Sequence, residues 1–173
     1  MSAHLKPAVS VTDHIQGNVD APVEIVEYGD YQCPYCGAAY PVIKEIQKKF
    51  GHQIKFVFRN FPLSEIHEHA NAAALAAEAA HLQGKFWEMH DIIFEHQRHL
   101  DSESLLGMAK KIGLNVHQFQ HDIQSEALQQ RIDADLESGM RSGVNGTPSF
   151  YVNGNKFDGG AEDLENMLLE NAK

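Results

Sequence analysis

Apolar residues fall into short compact runs near the two ends of this chain and into helical stripes between them. Residues 23–28, Val-Glu-Ile-Val-Glu-Tyr, form a run that predicts a buried strand, entered through the loop Asp20-Ala21-Pro22. Ala39, Val42, Ile43, Ile46 and Phe50 then recur at helical spacing, with Gly51 as the stop. Residues 54–59 alternate, with Ile54, Phe56 and Phe58 on one face, which predicts a second strand that Phe61-Pro62 breaks. From Ser64 the period changes. Residues 68–83 are alanine-rich and helix-forming, and Gly84 stops them. Further helical faces follow at Phe86, Met89, His90 and Ile93, then at Leu105, Ala109 and Ile112 behind a Ser102 cap. Asn115 caps a short helix with Val116 and Phe119, and Leu128, Ile132 and Leu136 mark a longer one. Strand character returns at Ser149-Phe150-Tyr151-Val152, and Asn153-Gly154 signals a hairpin into a strand through Phe157. Leu164, Met167 and Leu168 face a last helix inward. The order is strand–helix–strand, helical block, strand–hairpin–strand, helix. It predicts an α/β core, a mixed sheet flanked by helices, over residues 8–62 and 140–173, with an all-helical insertion over 63–139.

Composition narrows the setting. The chain has 173 residues, enough for one well-buried domain with an inserted subdomain, and its 43% hydrophobic and 22% charged residues are ordinary for a globular protein. A net charge of −10 argues against nucleic-acid or anionic-membrane partners. No apolar run approaches the roughly 20 residues that span a bilayer. The start, Met1-Ser2-Ala3-His4-Leu5-Lys6-Pro7, lacks the cationic region and apolar core of a secretory leader. Taken literally that places the protein in the cytoplasm, or in the periplasm if a leader has been removed. A monomer is expected.

The chemistry concentrates in Cys33-Pro34-Tyr35-Cys36, which holds the only two cysteines and lies between the first strand and the first helix. A thiol at the first turn of a helix sits beside unpaired backbone N–H groups and the positive end of the helix dipole. That setting stabilises a thiolate, the form that attacks disulfides. Pro34 suits the first helical position, where its missing N–H would have had no partner. The spacing brings the second sulfur one turn on, so Cys33 is expected as an exposed thiolate nucleophile and Cys36 as the resolving thiol behind it. A C-x-x-C pair is also half a zinc site, which needs four ligands; there is no second pair, but eleven histidines leave a Cys2His2 site open. A structural disulfide is a third reading, although so short a ring restricts the unfolded chain little.

Five segments, taken together, resemble the DsbA-like branch of the thioredoxin superfamily, in which a helical domain interrupts the core. They are Glu27 six positions before Cys33, the Cys-Pro-Tyr-Cys motif, and Arg59-Asn60-Phe61-Pro62-Leu63 after the second strand. Gly84-Lys85-Phe86-Trp87 and Gly143-Val144-Asn145-Gly146-Thr147-Pro148-Ser149-Phe150 complete the set. The likeness spans residues 20–171. A glutaredoxin would share the Pro-Tyr pair, but the long separation of Cys36 from Pro148 does not suit that small fold.

The resemblance implies thiol–disulfide exchange with protein or peptide thiols and disulfides, assisted by an unidentified redox recycling partner. No bound cofactor is expected, since the Cys33–Cys36 dithiol itself carries two electrons. Pro148 resembles the cis-proline that faces the dithiol in this fold, which would place Thr147 backbone groups beside Cys33, ready to pair with an extended substrate. Glu27 shares a strand face with Val23 and Ile25, and as the family's buried acid it would move a proton to or from Cys36. Pro34 and Tyr35 tune the couple. Tyr35 stands where DsbA has histidine, so a milder oxidant than DsbA is expected. His67, His69, His96, His99, His117 and His121 have ligand-like local spacing, but no one helix gathers three of them, and solvated helix faces explain them. Trp87 is read as packing, and Lys55 and Arg59 are assigned no role. A non-catalytic chaperone or adaptor that kept the fold is a further alternative.

Overall fold

A computed structural model describes residues 3–172; Met1, Ser2 and Lys173, the last at the end of the 140–173 segment expected above, lie outside the described residues. Strand β2 (Val23–Gly29) occupies the middle of a five-stranded mixed sheet. It pairs in parallel with β3 (Ile54–Asn60), from Val23 opposite Ile54 to Gly29 opposite Asn60. The connection between them carries helix α1 (Pro34–Phe50), as a parallel pair requires. On its other side β2 pairs antiparallel with β4 (Ser149–Val152), which turns back into β5 (Asn155–Phe157). Helix α7 (Ala161–Asn171) follows.

The sheet's second edge is a strand absent from the sequence reading. Strand β1 (His14–Gly17) runs antiparallel to β3, with His14 opposite Phe58. Its sequence, His-Ile-Gln-Gly, shows no apolar alternation, because it borders the sheet and buries mainly an imidazole.

Between β3 and β4 lie five helices: α2 (Ala70–Leu82), α3 (Phe86–Glu95), α4 (Ser102–Lys111), α5 (Val116–Asp122) and α6 (Glu126–Arg141). Helix α6 runs through the expected 139/140 boundary. Helix α2 buries Ala70, Ala73, Ala74, Ala76, Ala77, Ala79 and Ala80, small side chains that let neighbouring helices approach closely. The sheet places Ile25, Phe56, Phe58 and Phe150 in one apolar cluster that continues through Ala73, Ala77, Met89 and Ile132. Core and helical block thus share one interior. The opposite face packs Val26, Tyr28, Val57 and Tyr151 against Leu5, Phe61 and Val144. No described helix is long and apolar enough to cross a membrane.

Charges are buried where block and sheet meet. Glu78 of α2 is fully buried and takes His14 Nε2 at 2.9 Å, Asn60 Nδ2 at 2.8 Å and the Arg131 guanidinium at 2.9 Å. Arg59, to which the sequence reading gave no role, is buried and forms a two-pronged ion pair with Asp13 at 2.9 and 3.0 Å; it also donates to the Tyr28 hydroxyl. Lys55 pairs with Glu24 across the β2–β3 ladder at 3.0 Å.

Candidate active site

The dithiol sits where β2 hands over to α1. Cys33 occupies the N-cap position with extended backbone (φ −69°, ψ 124°), and Pro34 opens the helix. The residue just before a helix keeps its carbonyl for the first intrahelical bond, and here Gly37 N donates to Cys33 O at 3.0 Å. Both cysteines are free thiols. Cys36 is fully buried, and Cys33 is only 3% exposed, so the sulfur is not the open thiolate the sequence suggested. The reason is the loop ahead of β4, which lies across it: in its thiol form Cys33 donates to Thr147 O at 3.6 Å. The Thr147–Pro148 peptide bond is cis. Tyr35, by contrast, is 75% exposed within the motif.

The two sulfurs have opposite acidities. The Cys36 S–H donating to the Cys33 sulfur is the main reason that Cys33 is brought down to about 5. Thr147 and the backbone N–H groups of Tyr35 and Cys36 act in the same direction, against the opposing effect of burial. The Thr147 hydroxyl is buried and has no hydrogen-bond partner among the described residues. Cys36 is pushed well above its ordinary value, by burial first and by its hydrogen bond to Cys33 second. Asp30 N donates to the Cys36 sulfur at 3.4 Å. Near neutral pH one sulfur is an anion and its mate holds the proton.

Glu27 points into the same interior as Ile25, as the period-2 pattern of β2 predicts. It is buried, and a Cβ on Gly29 would stand 2.8 Å from its carboxyl and 2.5 Å from the Phe58 ring, so the acid rests against bare backbone in an apolar niche. Burial, with the Cys33 charge second, raises its pKa to about 8, and its own charge raises Cys36 further.

Several residues around the dithiol were not foreseen. Asp30, three positions before Cys33, buries a carboxylate that accepts from Gln32 N at 2.7 Å, Leu63 N at 2.8 Å and His67 Nδ1 at 2.7 Å. His67 is therefore tied to the active-site loop rather than lying on a solvated helix face. His69 N donates to Gln32 Oε1 at 2.7 Å. The Gln97 amide donates to Tyr31 O at 2.9 Å and to Cys33 O at 2.6 Å. Apart from the local Gln32–Asp30 bond, these contacts join residues more than thirty positions apart, most of them through backbone atoms, so local patterns carry no sign of them. Trp87 packs against Phe56 and donates to Ile15 O at 3.2 Å. Among the described residues no group of three or more His, Cys, Asp or Glu side chains is placed to hold a metal ion.

A family model described as Thioredoxin matches residues 9–169, and the chain belongs to that family. Its structural neighbours are DsbA-like thiol–disulfide oxidoreductases of thioredoxin fold. A thioredoxin-like oxidoreductase from Silicibacter pomeroyi DSS-3 is 27% identical, with a TM-score of 0.82 and coverage of 94% of each chain. The thiol-disulfide exchange protein alpha-DsbA2 of Wolbachia pipientis is 25% identical, with a TM-score of 0.78 over 93% of this chain and 88% of its own. BdbD from Bacillus subtilis shares the fold at 24% identity, with a TM-score of 0.83 over 98% of this chain and 96% of its own. Among curated proteins, the Na(+)/H(+) antiporter NhaA 1 of Salinispora arenicola is 44% identical over 147 residues, which are 85% of this chain but 22% of the antiporter. NhaA 1 of Mycolicibacterium vanbaalenii is 40% identical over 157 residues, 25% of its length. The chain thus spans a fifth to a quarter of these curated relatives.

Proposed function

We propose that this protein is a DsbA-like protein disulfide oxidoreductase that exchanges its Cys33–Cys36 dithiol or disulfide with protein or peptide substrates. The observation that carries this reading is the pair of thiols with opposed acidities at the start of α1, under the Thr147-Pro148 loop. In the reducing direction the Cys33 thiolate attacks a substrate disulfide, forming a mixed disulfide and releasing one substrate thiolate. Cys36 gives its proton to the Glu27 carboxylate, attacks the Cys33 sulfur and releases the second substrate sulfur as a thiolate. Two electrons pass to the substrate and the Cys33–Cys36 disulfide closes. In the oxidising direction each step reverses: a substrate thiolate opens the disulfide at Cys33, and the departing Cys36 takes its proton from Glu27. The protein's own sulfurs carry both electrons in either direction, and a redox partner restores the starting state.

Substrate contact is assigned to the backbone of Thr147 and Pro148, which borders the Cys33 sulfur, and to the exposed Tyr35 ring. Tyr35 supplies no positive charge to the thiolate, so we expect a reduction potential between about −120 mV, as for DsbA, and about −270 mV, as for thioredoxin. An oxidant belongs in an oxidising compartment such as the periplasm and a reductant in the cytoplasm. The test is an insulin-reduction assay run beside an assay for oxidation of a reduced, unfolded protein. We expect turnover in at least one of them, abolished by Cys33→Ser, and a substrate disulfide trapped on Cys33 in Cys36→Ser. Turnover that survives Cys33→Ser overturns the reading.

A further inference from the structure

We propose that Gln97, on the turn after α3, is a positioning residue for the dithiol. Through it the helical block holds the backbone that presents the Cys33 sulfur. This rests on the exchange chemistry proposed above.

The segment from Asp30 to Cys33 has no regular structure, yet it fixes where the sulfur stands. Cys33 is the N-cap of α1, with extended backbone. The stabilising N–H groups of Tyr35 and Cys36 reach the sulfur only while the Cys33 backbone keeps its extended angles. Gln97 supplies that restraint. A primary amide carries two N–H groups on one planar nitrogen, and here they meet the carbonyls on either side of Gln32, Tyr31 O at 2.9 Å and Cys33 O at 2.6 Å.

A second feature of the chain points to the same contact. Gly37, in the first turn of α1, leaves bare the surface on which the Gln97 amide lies. A Cβ there would stand 2.1 Å from Gln97 Oε1 and 2.8 Å from its Cδ. Nothing else in the glycine's surroundings is as close, so a methyl group at residue 37 would evict the amide and little besides. His67 and His69 hold Asp30 and Gln32 as well, so the loop keeps other ties when Gln97 is lost.

Two substitutions therefore break one contact by unrelated routes. Gln97→Leu removes both donors at similar volume. Gly37→Ala displaces the amide while placing a better helix former in α1. The experiment measures the alkylation rate of the reduced full-length protein with iodoacetamide across pH, together with its equilibrium with glutathione. A thermal melt of each variant confirms folding. We expect the alkylation midpoint to rise by about half to one pH unit in each variant, since the bonds stabilising the thiolate slacken. The glutathione equilibrium should shift about three- to tenfold toward the disulfide form. The double variant should do no more than the larger single one, because neighbours sharing one interaction are not additive. If Gln97→Leu does not fold, Gly37→Ala decides alone. A folded Gly37→Ala protein with an unchanged midpoint and equilibrium overturns the proposal, and so does a double variant that sums the two effects. A parent protein whose leading thiol titrates as ordinary cysteine overturns the exchange reading itself, which separates the two failures.

Discussion

Cys33 and Cys36 are the same chemical group three residues apart, and their surroundings drive them in opposite directions. The difference lies in who donates. Cys33 receives from Cys36, from Thr147 and from two helix-start N–H groups, whereas Cys36 lies deeper, beside an acid. Hydrogen bonds to a charged acceptor contribute about 1.5–3 kcal/mol each, and one pH unit corresponds to about 1.4 kcal/mol, so losing one donor moves the thiol by about one unit. Thr147→Val keeps shape and removes the buried hydroxyl. We expect the alkylation midpoint of Cys33 to climb from near 5 by about one unit in that variant. A midpoint unmoved by Thr147→Val would show that the hydroxyl does not serve the sulfur. Most of this site could be read from the sequence, because its reactive pair is contiguous and Glu27 follows the strand's alternation. Cys33's burial could not be read, since the covering loop comes from more than a hundred positions away. Thr147 was expected to act through its backbone; the role of its side chain emerges only once the sulfur is seen beside it.

At the scale of elements, the apolar pattern located the four strands and seven helices whose interior faces are apolar. It missed the one strand held by polar atoms. Strand β1 is tied down by His14, which donates to the Glu78 carboxylate and stacks on Phe86 with ring centroids 3.6 Å apart. Glu78 belongs to an alanine-rich stretch, where an acid reads as the solvated side of the helix. It is instead the hub joining β1, β3 and α6 through His14, Asn60 and Arg131. Burial pushes its pKa up, but His14 and Arg131 outweigh burial, and the carboxyl ionises below its usual range. Removing one member of a buried ionic network strands the others, at a cost of about 3–5 kcal/mol. We expect Glu78→Ala to lose stability of that order in urea unfolding, with β1 the first segment to lose amide protection in hydrogen exchange. A loss under 1 kcal/mol would mean that the network is better solvated than its burial indicates.

For the molecule as a whole, the redox state sets how stability responds to pH. Glu27 has its pKa raised to about 8 from an ordinary 4.5. The fold favours its neutral form, so its stabilising contribution is complete below pH 4.5 and is lost as the pH rises through 8. Cys33 in the reduced protein is lowered from 9 to about 5, so its contribution is complete above pH 9 and is lost as the pH falls through 5. Between pH 5 and 8 the two act against each other in the reduced form. In the disulfide form Cys33 has no proton to release, so of this pair only the Glu27 trend remains, driven by burial, the larger of its two causes; Asp135, raised to about 6, and His90, lowered by burial, act below about pH 6.5 in both forms. We therefore expect urea midpoints of the oxidised protein to fall from pH 6.5 to pH 8, while those of the reduced protein stay comparatively flat. The curves should separate by up to about 1.4 kcal/mol per pH unit for each group titrating. Glu27→Gln should flatten the oxidised curve and leave the reduced one rising with pH. Parallel curves for the two redox states would show that Cys33 does not ionise in this window. The same linkage makes the couple more oxidising as pH rises within that range than a pair of ordinary thiols would be, because each stabilisation of the reduced form favours taking electrons from a substrate.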